Sequence, residues 1–203
     1  AHAERHGWPL VLLDAGEQHD ARYRANPVDR CYYCKTNLYA RIREATPDPI
    51  ASGTNRDDID DFRPGLRAAG EHDVVHPYVE AGIDKAGVYA LAARFALDDL
   101  ERLPAQPCLA SRVETGIAIA PEDLAFIDAV EARLAARLGR EAVLRCRVTH
   151  AGIVIELAAA HDARAGEIAR DIGADACRRD GRLFAGVRAY ARGAAFLRRL
   201  ADD

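Results

Sequence analysis

The chain contains no methionine and a single tryptophan, and aromatic residues make up only 6% of its 203 residues. A translated reading frame opens on methionine. This one opens on Ala1-His2-Ala3-Glu4-Arg5, which reads as the closing turns of a helix stopped at Gly7. Residues missing ahead of Ala1 are therefore expected. No apolar run approaches the roughly 20 residues that span a bilayer, and no signal-peptide pattern is present, so no membrane partner is expected. Five cysteines are an odd number without the spacing of a secreted disulfide scaffold, which points to a reducing, cytoplasmic compartment. A net charge of −4 lacks the cationic excess of a general nucleic-acid binder. Internal repeats and low-complexity tracts are absent.

With 49% hydrophobic and 30% charged residues, the chain has the composition of a globular protein of one domain or two small ones. Its organising stretch is Asn26-Pro27-Val28-Asp29-Arg30-Cys31-Tyr32-Tyr33-Cys34-Lys35-Thr36-Asn37. Asp29 is placed to cap a helix in which Cys31, Cys34, Leu38 and Ile42 share one inward face. Thiols at a helix start feel the positive end of the peptide dipoles, which favours the metal-binding thiolate. Before this helix, Trp8 to Asp14 reads as a buried parallel strand. After it, the helix ends near Glu44, Thr46-Pro47-Asp48-Pro49 breaks the chain, and Ile50-Ala51-Ser52 forms a second strand. Alternating helices and strands predict an α/β unit with parallel pairing.

The second strand runs into Gly53-Thr54-Asn55 and an acidic stretch holding Asp57, Asp58, Asp60 and Asp61. Such a run is either a solvated turn or, beyond the carboxyl end of a parallel strand, part of a ligand site. There Gly53 permits close backbone approach, and Thr54 and Asn55 offer hydrogen bonds to a base or ribose. Asp84 starts a helix with Val88, Leu91, Ala92 and Phe95 as its inner stripe. Leu103 to Gly116 is irregular and carries a third thiol, Cys108, four residues before Arg112.

Pro121 opens a helix whose stripe of Leu124, Ile127, Leu134 and Leu138 is interrupted by Glu131, with Val130 as the apolar alternative. Glu131 is then either the edge of a wide stripe or a placed functional group. Gly139 ends that helix. Val143 to Leu157 reads as a hairpin turning at His150-Ala151-Gly152. Leu144, Cys146 and Val148 lie on one face of its first strand, and Arg145, Arg147 and Thr149 on the other. The two arginines mark a solvated face or a site for a phosphate or carboxylate. A helix from Asp162 to Ile172 stopped by Gly173, a strand near Leu183 to Val187, and a helical segment ending in Arg198-Arg199-Leu200 complete a small α+β unit.

Four readings compete for the thiols. They are a redox pair, a structural zinc site, three thiolates around an iron–sulfur cluster with one open iron, or small core residues. The zinc reading lacks a second ligand pair at usual spacing, His72 and His76 being in a loop. Cys146 and Cys177 read as structural.

Three motifs occur in order. They are Asp29-Arg30-Cys31-Tyr32-Tyr33-Cys34-Lys35; Gly53-Thr54-Asn55-Arg56-Asp57-Asp58 with Phe62-Arg63-Pro64-Gly65-Leu66; and Pro107-Cys108-Leu109-Ala110-Ser111-Arg112. This order resembles the LarE family of ATP-dependent sulfur transferases, PP-loop ATP pyrophosphatases of the adenine nucleotide α-hydrolase superfamily. The resemblance covers about Arg22 to Gly116. Beyond that it rests on Glu131, on Arg145 and Arg147, and on Tyr190-Ala191-Arg192-Gly193. It implies a Rossmann-like PP-loop domain lacking its N-terminal part over residues 1–118, and a C-terminal α+β domain over 119–203.

The implied activity is adenylation of a carboxylate of pyridinium-3,5-biscarboxylic acid mononucleotide and its conversion to a thiocarboxylate, for the nickel-pincer nucleotide of lactate racemase. In one branch of the family a single cysteine gives up its sulfur. In another, three cysteines hold a [4Fe–4S] cluster, and Cys31, Cys34 and Cys108 resemble the cluster branch. The resemblance further implies ATP and Mg²⁺ as cofactors, with Gly53, Thr54, Asn55, Asp57 and Asp58 on the nucleotide side. Arg112, Arg145 and Arg147 would lie on the substrate, Cys108 and Glu131 would be catalytic, and the assembly would be a homo-oligomer, a hexamer by family. The chain departs from the family in lacking a Ser-Gly-Gly-x-Asp-Ser phosphate loop and in reading Val113-Glu114-Thr115-Gly116 where Pro-Tyr-Gly is usual. A PP-loop tRNA thiolase and a non-catalytic zinc-binding protein are the alternatives.

Overall fold

A computed structural model describes residues 2–59, 62–101, 107–139, 142–158 and 163–191. The expectations placed on Asp60, Asp61, Leu103 to Gln106, Asp162, Arg192, Gly193 and Arg198 to Leu200 lie outside the described residues. The chain divides into two units, one of Ala1–Tyr23 with Asp29–Gln106, the other of Arg24–Val28 with Pro107–Asp203. Residues 107–118, which the family resemblance places with the N-terminal domain, group with the second unit.

Six helices are described up to Arg94: α1 (His2–His6), α2 (Ala21–Arg24), α3 (Arg30–Ala45), α4 (Pro64–Glu71), α5 (Pro77–Glu80) and α6 (Lys85–Arg94). The core of the first unit is Tyr39, Ile50, Ala68, Ala69 and Val74, with Tyr32, Leu38 and Ile42 packed against it. Buried Ala68 and Ala69 keep α4 thin on this side. A Cβ on Gly65 would come within 3.0 Å of the Lys35 side chain, so α4 sits hard against α3. The expected helix over the thiols is present, but Asp29 makes no side-chain cap. Its φ of −96° and ψ of 20° depart from the extended geometry that turns a capping carboxylate back on the helix. Asp84 does cap α6, accepting from the Gly87 amide at 2.7 Å.

Two further expectations fail in this unit. Residues 8–14 form no strand: Leu10, Val11 and Leu12 are 65%, 75% and 87% exposed. A continuous apolar run signals burial on both faces, and that burial needs sheet neighbours that the described residues do not supply. Phe95, expected on the inner stripe of α6, is 67% exposed, because the helix has already closed at Arg94. The second expected strand survives as a single parallel bridge between Ala51 and Val75, flanked by Ser52 N–H to Val75 C=O and Val75 N–H to Ile50 C=O bonds.

The second unit is a three-stranded sheet in the order β1 (Leu144–Thr149), β2 (Gly152–Leu157), β3 (Phe184–Ala189), with helices α7 (Pro121–Leu138) and α8 (Ala163–Asp180). β1 and β2 form the expected antiparallel hairpin, and β2 pairs in parallel with β3. Ile127, Val130 and Leu134 of α7, Cys146 and Ile155 of the sheet, and Cys177 of α8 are all buried. Pro121 and Gly139 bound α7 as predicted. Near the start of the unit, buried Asn26 adopts a φ of 51° and donates from Nδ2 to the Glu114 and Ile117 carbonyls, both at 2.8 Å. Asparagine tolerates this left-handed geometry, and here it staples residues 24–28 to the loop after Arg112.

Gly173 does not stop α8; the helix continues to Asp180 and Gly181 closes it with a φ of +69°. The role of Gly173 is close approach. A Cβ there would meet Phe184 Cε2 at 2.5 Å and Ile155 Cγ1 at 3.1 Å. Gly173→Ala is therefore expected to destabilise the protein by about 1–3 kcal/mol through overpacking. Urea unfolding checks this, and a gain in stability from the better helix former would contradict the packing account. No helix among the described residues is long and apolar enough to cross a membrane.

Candidate functional site

In the second unit the site is built on the turn after Pro107. Cys108 is exposed and precedes a 3₁₀ turn, Leu109–Arg112, whose Ser111 amide donates to the Cys108 carbonyl at 2.9 Å. Arg112 is only 6% exposed. Its Nη1 donates to the carbonyls of Pro107 at 2.6 Å and Cys108 at 3.1 Å, and to Ser111 Oγ at 3.2 Å. Its Nε and Nη2 form a fork on Glu131 Oε1 and Oε2, each at 3.0 Å. Bidentate guanidinium–carboxylate pairing fixes distance and plane together. The backbone under the Cys108 thiol is thus clamped to α7 while the thiol itself stays open to solvent.

Glu131 also accepts the Cys146 amide at 2.9 Å, so one carboxylate ties the turn, α7 and β1 together. Val130 fills the apolar seam in its place, which separates the packing role from the polar one. Arg147 is not on a solvated face, being 5% exposed. Its Nε donates to Glu156 Oε2 and its Nη1 to the Ser111 carbonyl, both at 2.8 Å. Arg145 stays half-buried and donates to the carbonyl of its neighbour Leu144. Burial, and next the charge of Arg112, pull its guanidinium below the ordinary arginine range. Burial pushes the Cys146 thiol up, so Cys146 stays a protonated core residue.

Glu156 is the residue that sequence reasoning missed. It is 0% exposed, in the middle of an apolar strand, and it accepts from Arg147 and Arg188. A carboxylate inside Ile153-Val154-Ile155-Glu156-Leu157 was the available signal, since ionised groups are rarely buried without partners.

In the first unit, Cys31 and Cys34 lie half-buried on successive turns of α3, neither of them in a disulfide. Beside them the rings of Tyr32 and Tyr33 meet edge to face at 5.2 Å. Arg67 stacks over Tyr32 at 3.7 Å and Arg22 over Tyr33 at 5.1 Å. The stretch from Gly53 to Asp58 folds on itself. Asn55 accepts from the Asp57 amide while Asp58 accepts from the Asn55 amide; Asp57 accepts from the Lys85 amide, and Asp58 pairs with Arg63. Those side chains already hold structural partners. Gly53 stands in open space, and Thr54 lies in a chain Thr54 Oγ1–Ser52 Oγ–His76 Nδ1 with links of 2.8 and 2.7 Å. A hollow of about 440 Å³ next to this turn is lined by Arg56, Ile59, Val79, Glu80 and Gly82. Among the described residues no three His, Cys, Asp or Glu side chains gather to hold a metal ion.

No family model matches the chain. An uncharacterized protein of Synechocystis is 34% identical over 143 residues, 68% of this chain and 53% of the relative. An uncharacterized protein of Methanocaldococcus jannaschii is 31% identical over 110 residues, 52% of this chain and 42% of the relative. The pyridinium-3,5-bisthiocarboxylic acid mononucleotide synthase of Lactiplantibacillus plantarum is 28% identical over 116 residues, 55% of this chain and 42% of the synthase. The chain spans about half the length of the curated relatives it matches. The distant similarity to the synthase supports a relation to the sulfur-transferase family that the three motifs resemble.

Proposed function

We propose that the chain is part of an ATP-dependent sulfur transferase acting on a carboxylate of pyridinium-3,5-biscarboxylic acid mononucleotide. The observation that carries this reading is the exposed Cys108 thiol on a backbone clamped by Arg112 and Glu131. The name of the Lactiplantibacillus relative supports the substrate class. In the proposed reaction a carboxylate oxygen attacks the α-phosphorus of ATP and pyrophosphate leaves, assisted by Mg²⁺. A sulfur nucleophile then attacks the acyl carbon, forming the C–S bond as the C–O bond to AMP breaks. The chain's own contribution is positional: Arg112 and Glu131 hold the Cys108 turn, and Arg145 on β1 draws the anionic substrate. Gly53 and Thr54 belong to the nucleotide side.

The finer proposal is that Cys31, Cys34 and Cys108 hold a [4Fe–4S] cluster. Three thiolates suit such a cluster with one iron left open; none of the three cysteines is in a disulfide, Cys108 being exposed and Cys31 and Cys34 half-buried. Cys31 and Cys34 would supply two of its thiolates from α3, and Cys108 the third from its turn. A homo-oligomer belongs to the same proposal. Anaerobic reconstitution followed by iron and acid-labile sulfide analysis tests it. About four irons per chain, lost in Cys31→Ala and in Cys34→Ala, is the expected result. Zinc without iron, and no thiocarboxylate with ATP and sulfide, would favour the zinc-binding alternative. Thiolated tRNA as the product would favour the thiolase.

A further inference from the structure

In the first unit, two segments continue past the carboxyl end of the parallel bridge between Ala51 and Val75. One is the 3₁₀ turn Arg56–Asp58 with Ile59, the other is α5 with Ala81 and Gly82. The hollow of about 440 Å³ is lined by both, through Arg56 and Ile59 from the first and Val79, Glu80 and Gly82 from the second. Ligands of parallel α/β units collect beyond the carboxyl ends of strands, and a hollow of this size is large enough for a small molecule.

The walls are fixed without using the charges that line them. Arg56 N–H donates to the Ile83 carbonyl at 2.9 Å and Lys85 N–H to Asp57 Oδ2 at 3.1 Å, so the two segments are pinned together at two points. Glu80 N–H is taken by the His76 carbonyl and Gly82 N–H by the Val79 carbonyl, both at 3.0 Å. The amides of Arg56, Glu80 and Gly82 are therefore spent on the fold, and polar recognition falls to two side chains. Gly82 has a φ of +69°, and a Cβ there would meet nothing within 4 Å, so its place on the rim is open.

Arg56 and Glu80 are both exposed, and neither makes an ion pair or a side-chain hydrogen bond among the described residues. An exposed Arg–Glu pair would hold the two together only weakly, so a ligand competes easily for both. Ile59, 46% exposed, and half-buried Val79 add apolar surface to the same hollow. A simple anion would meet the like charge of Glu80, and a simple cation that of Arg56. The complement of all four side chains carries a carboxylate, an ammonium and an apolar group together. A free α-amino acid has all three on one carbon, whereas the end of a polypeptide offers only one of the two charges.

We propose that this hollow is a seat for a free α-amino acid with an apolar side chain. Arg56 takes its carboxylate, Glu80 its ammonium, and Ile59 and Val79 its side chain. The seat stands independently of the sulfur-transfer reading.

Nuclear magnetic resonance titration of the ¹⁵N-labelled 203-residue chain with leucine, leucinamide, N-acetylleucine and glycine tests it. Leucine is expected to move the amide resonances of Arg56, Glu80 and Gly82. Leucinamide and N-acetylleucine each lack one charge and glycine lacks the side chain, so each should bind about fivefold more weakly. Arg56→Gln should erase the advantage of leucine over leucinamide and keep its advantage over N-acetylleucine; Glu80→Gln should do the converse. A defect of folding would not cross over in this way, and the spectra themselves show whether each variant is folded. Equal binding of the four probes, no shift with leucine, or loss of both preferences together in either variant overturns the seat. ATP moving the same amides through Arg56, undiminished in Glu80→Gln while leucine moves none, also overturns it and gives the hollow to the nucleotide side of the sulfur-transfer reading. Leucine binding with the crossed pattern in a protein that forms no thiocarboxylate upholds the seat without that reading.

Discussion

Cys108→Ala is expected to abolish thiocarboxylate formation while leaving the fold intact. The thiol is exposed, and its backbone is held by bonds that alanine keeps: Ser111 N–H and Arg112 Nη1 both donate to the residue-108 carbonyl. Substitutions of that kind stay within about 0.5 kcal/mol, or about 2 °C in Tm for a chain of this size. Cys146→Ala supplies the contrast. Its thiol is buried and pushed up by burial, so it is lost as packing rather than as a nucleophile, and turnover per folded molecule should persist. Mass spectrometry of the product and of residue 108 after a single turnover reads both variants. Full turnover by Cys108→Ala would remove this cysteine from the chemistry, whether its sulfur is sacrificed or it holds a cluster.

Glu156→Ala is expected to cost about 3–5 kcal/mol of stability, the range found when one member of a buried ion pair is deleted. The carboxylate is fully buried and has two guanidinium partners, one of them, Arg147, itself 5% exposed. Its removal strands the Arg147 charge in the interior and leaves a cavity in the middle strand. At roughly 2–4 °C per kcal/mol, Tm should fall by about 6–20 °C. Urea unfolding gives the same comparison isothermally. A loss below about 1 kcal/mol would mean that water reaches Arg147 and that the pair is a surface one.

Much of the second unit was legible because its signals are local. Pro121 and Gly139 bound α7 whatever surrounds them, since one lacks a donor that the first turn does not use and the other takes a φ of +96°. The hairpin around His150-Ala151-Gly152 follows from strict alternation on β1. The thiol-bearing helix was likewise readable from spacing, whereas the Asp29 cap was not, because a cap depends on a backbone angle that composition does not specify. Gly173 misled for a related reason. Glycine ends helices when it turns left-handed, but it also lets two elements touch, and only the positions of Phe184 and Ile155 distinguish the cases.

Candidate residue types were visible in the chain; their charge state and freedom were not. Sequence alone placed Cys108 four residues before Arg112, set Glu131 into an apolar stripe, and put Arg145 and Arg147 on one strand face. It treated the three arginines alike. Tertiary structure divided them, locking Arg112 on Glu131 and Arg147 on Glu156 and leaving Arg145 with no carboxylate partner among the described residues. In the first unit it likewise turned Asn55, Asp57 and Asp58 into mutual partners. Sequence periodicity reports which side of an element a residue occupies. Which counter-charge lies opposite depends on contacts between residues distant in the chain, such as Arg188 with Glu156 and Arg112 with Glu131. Only the folded chain brings those together.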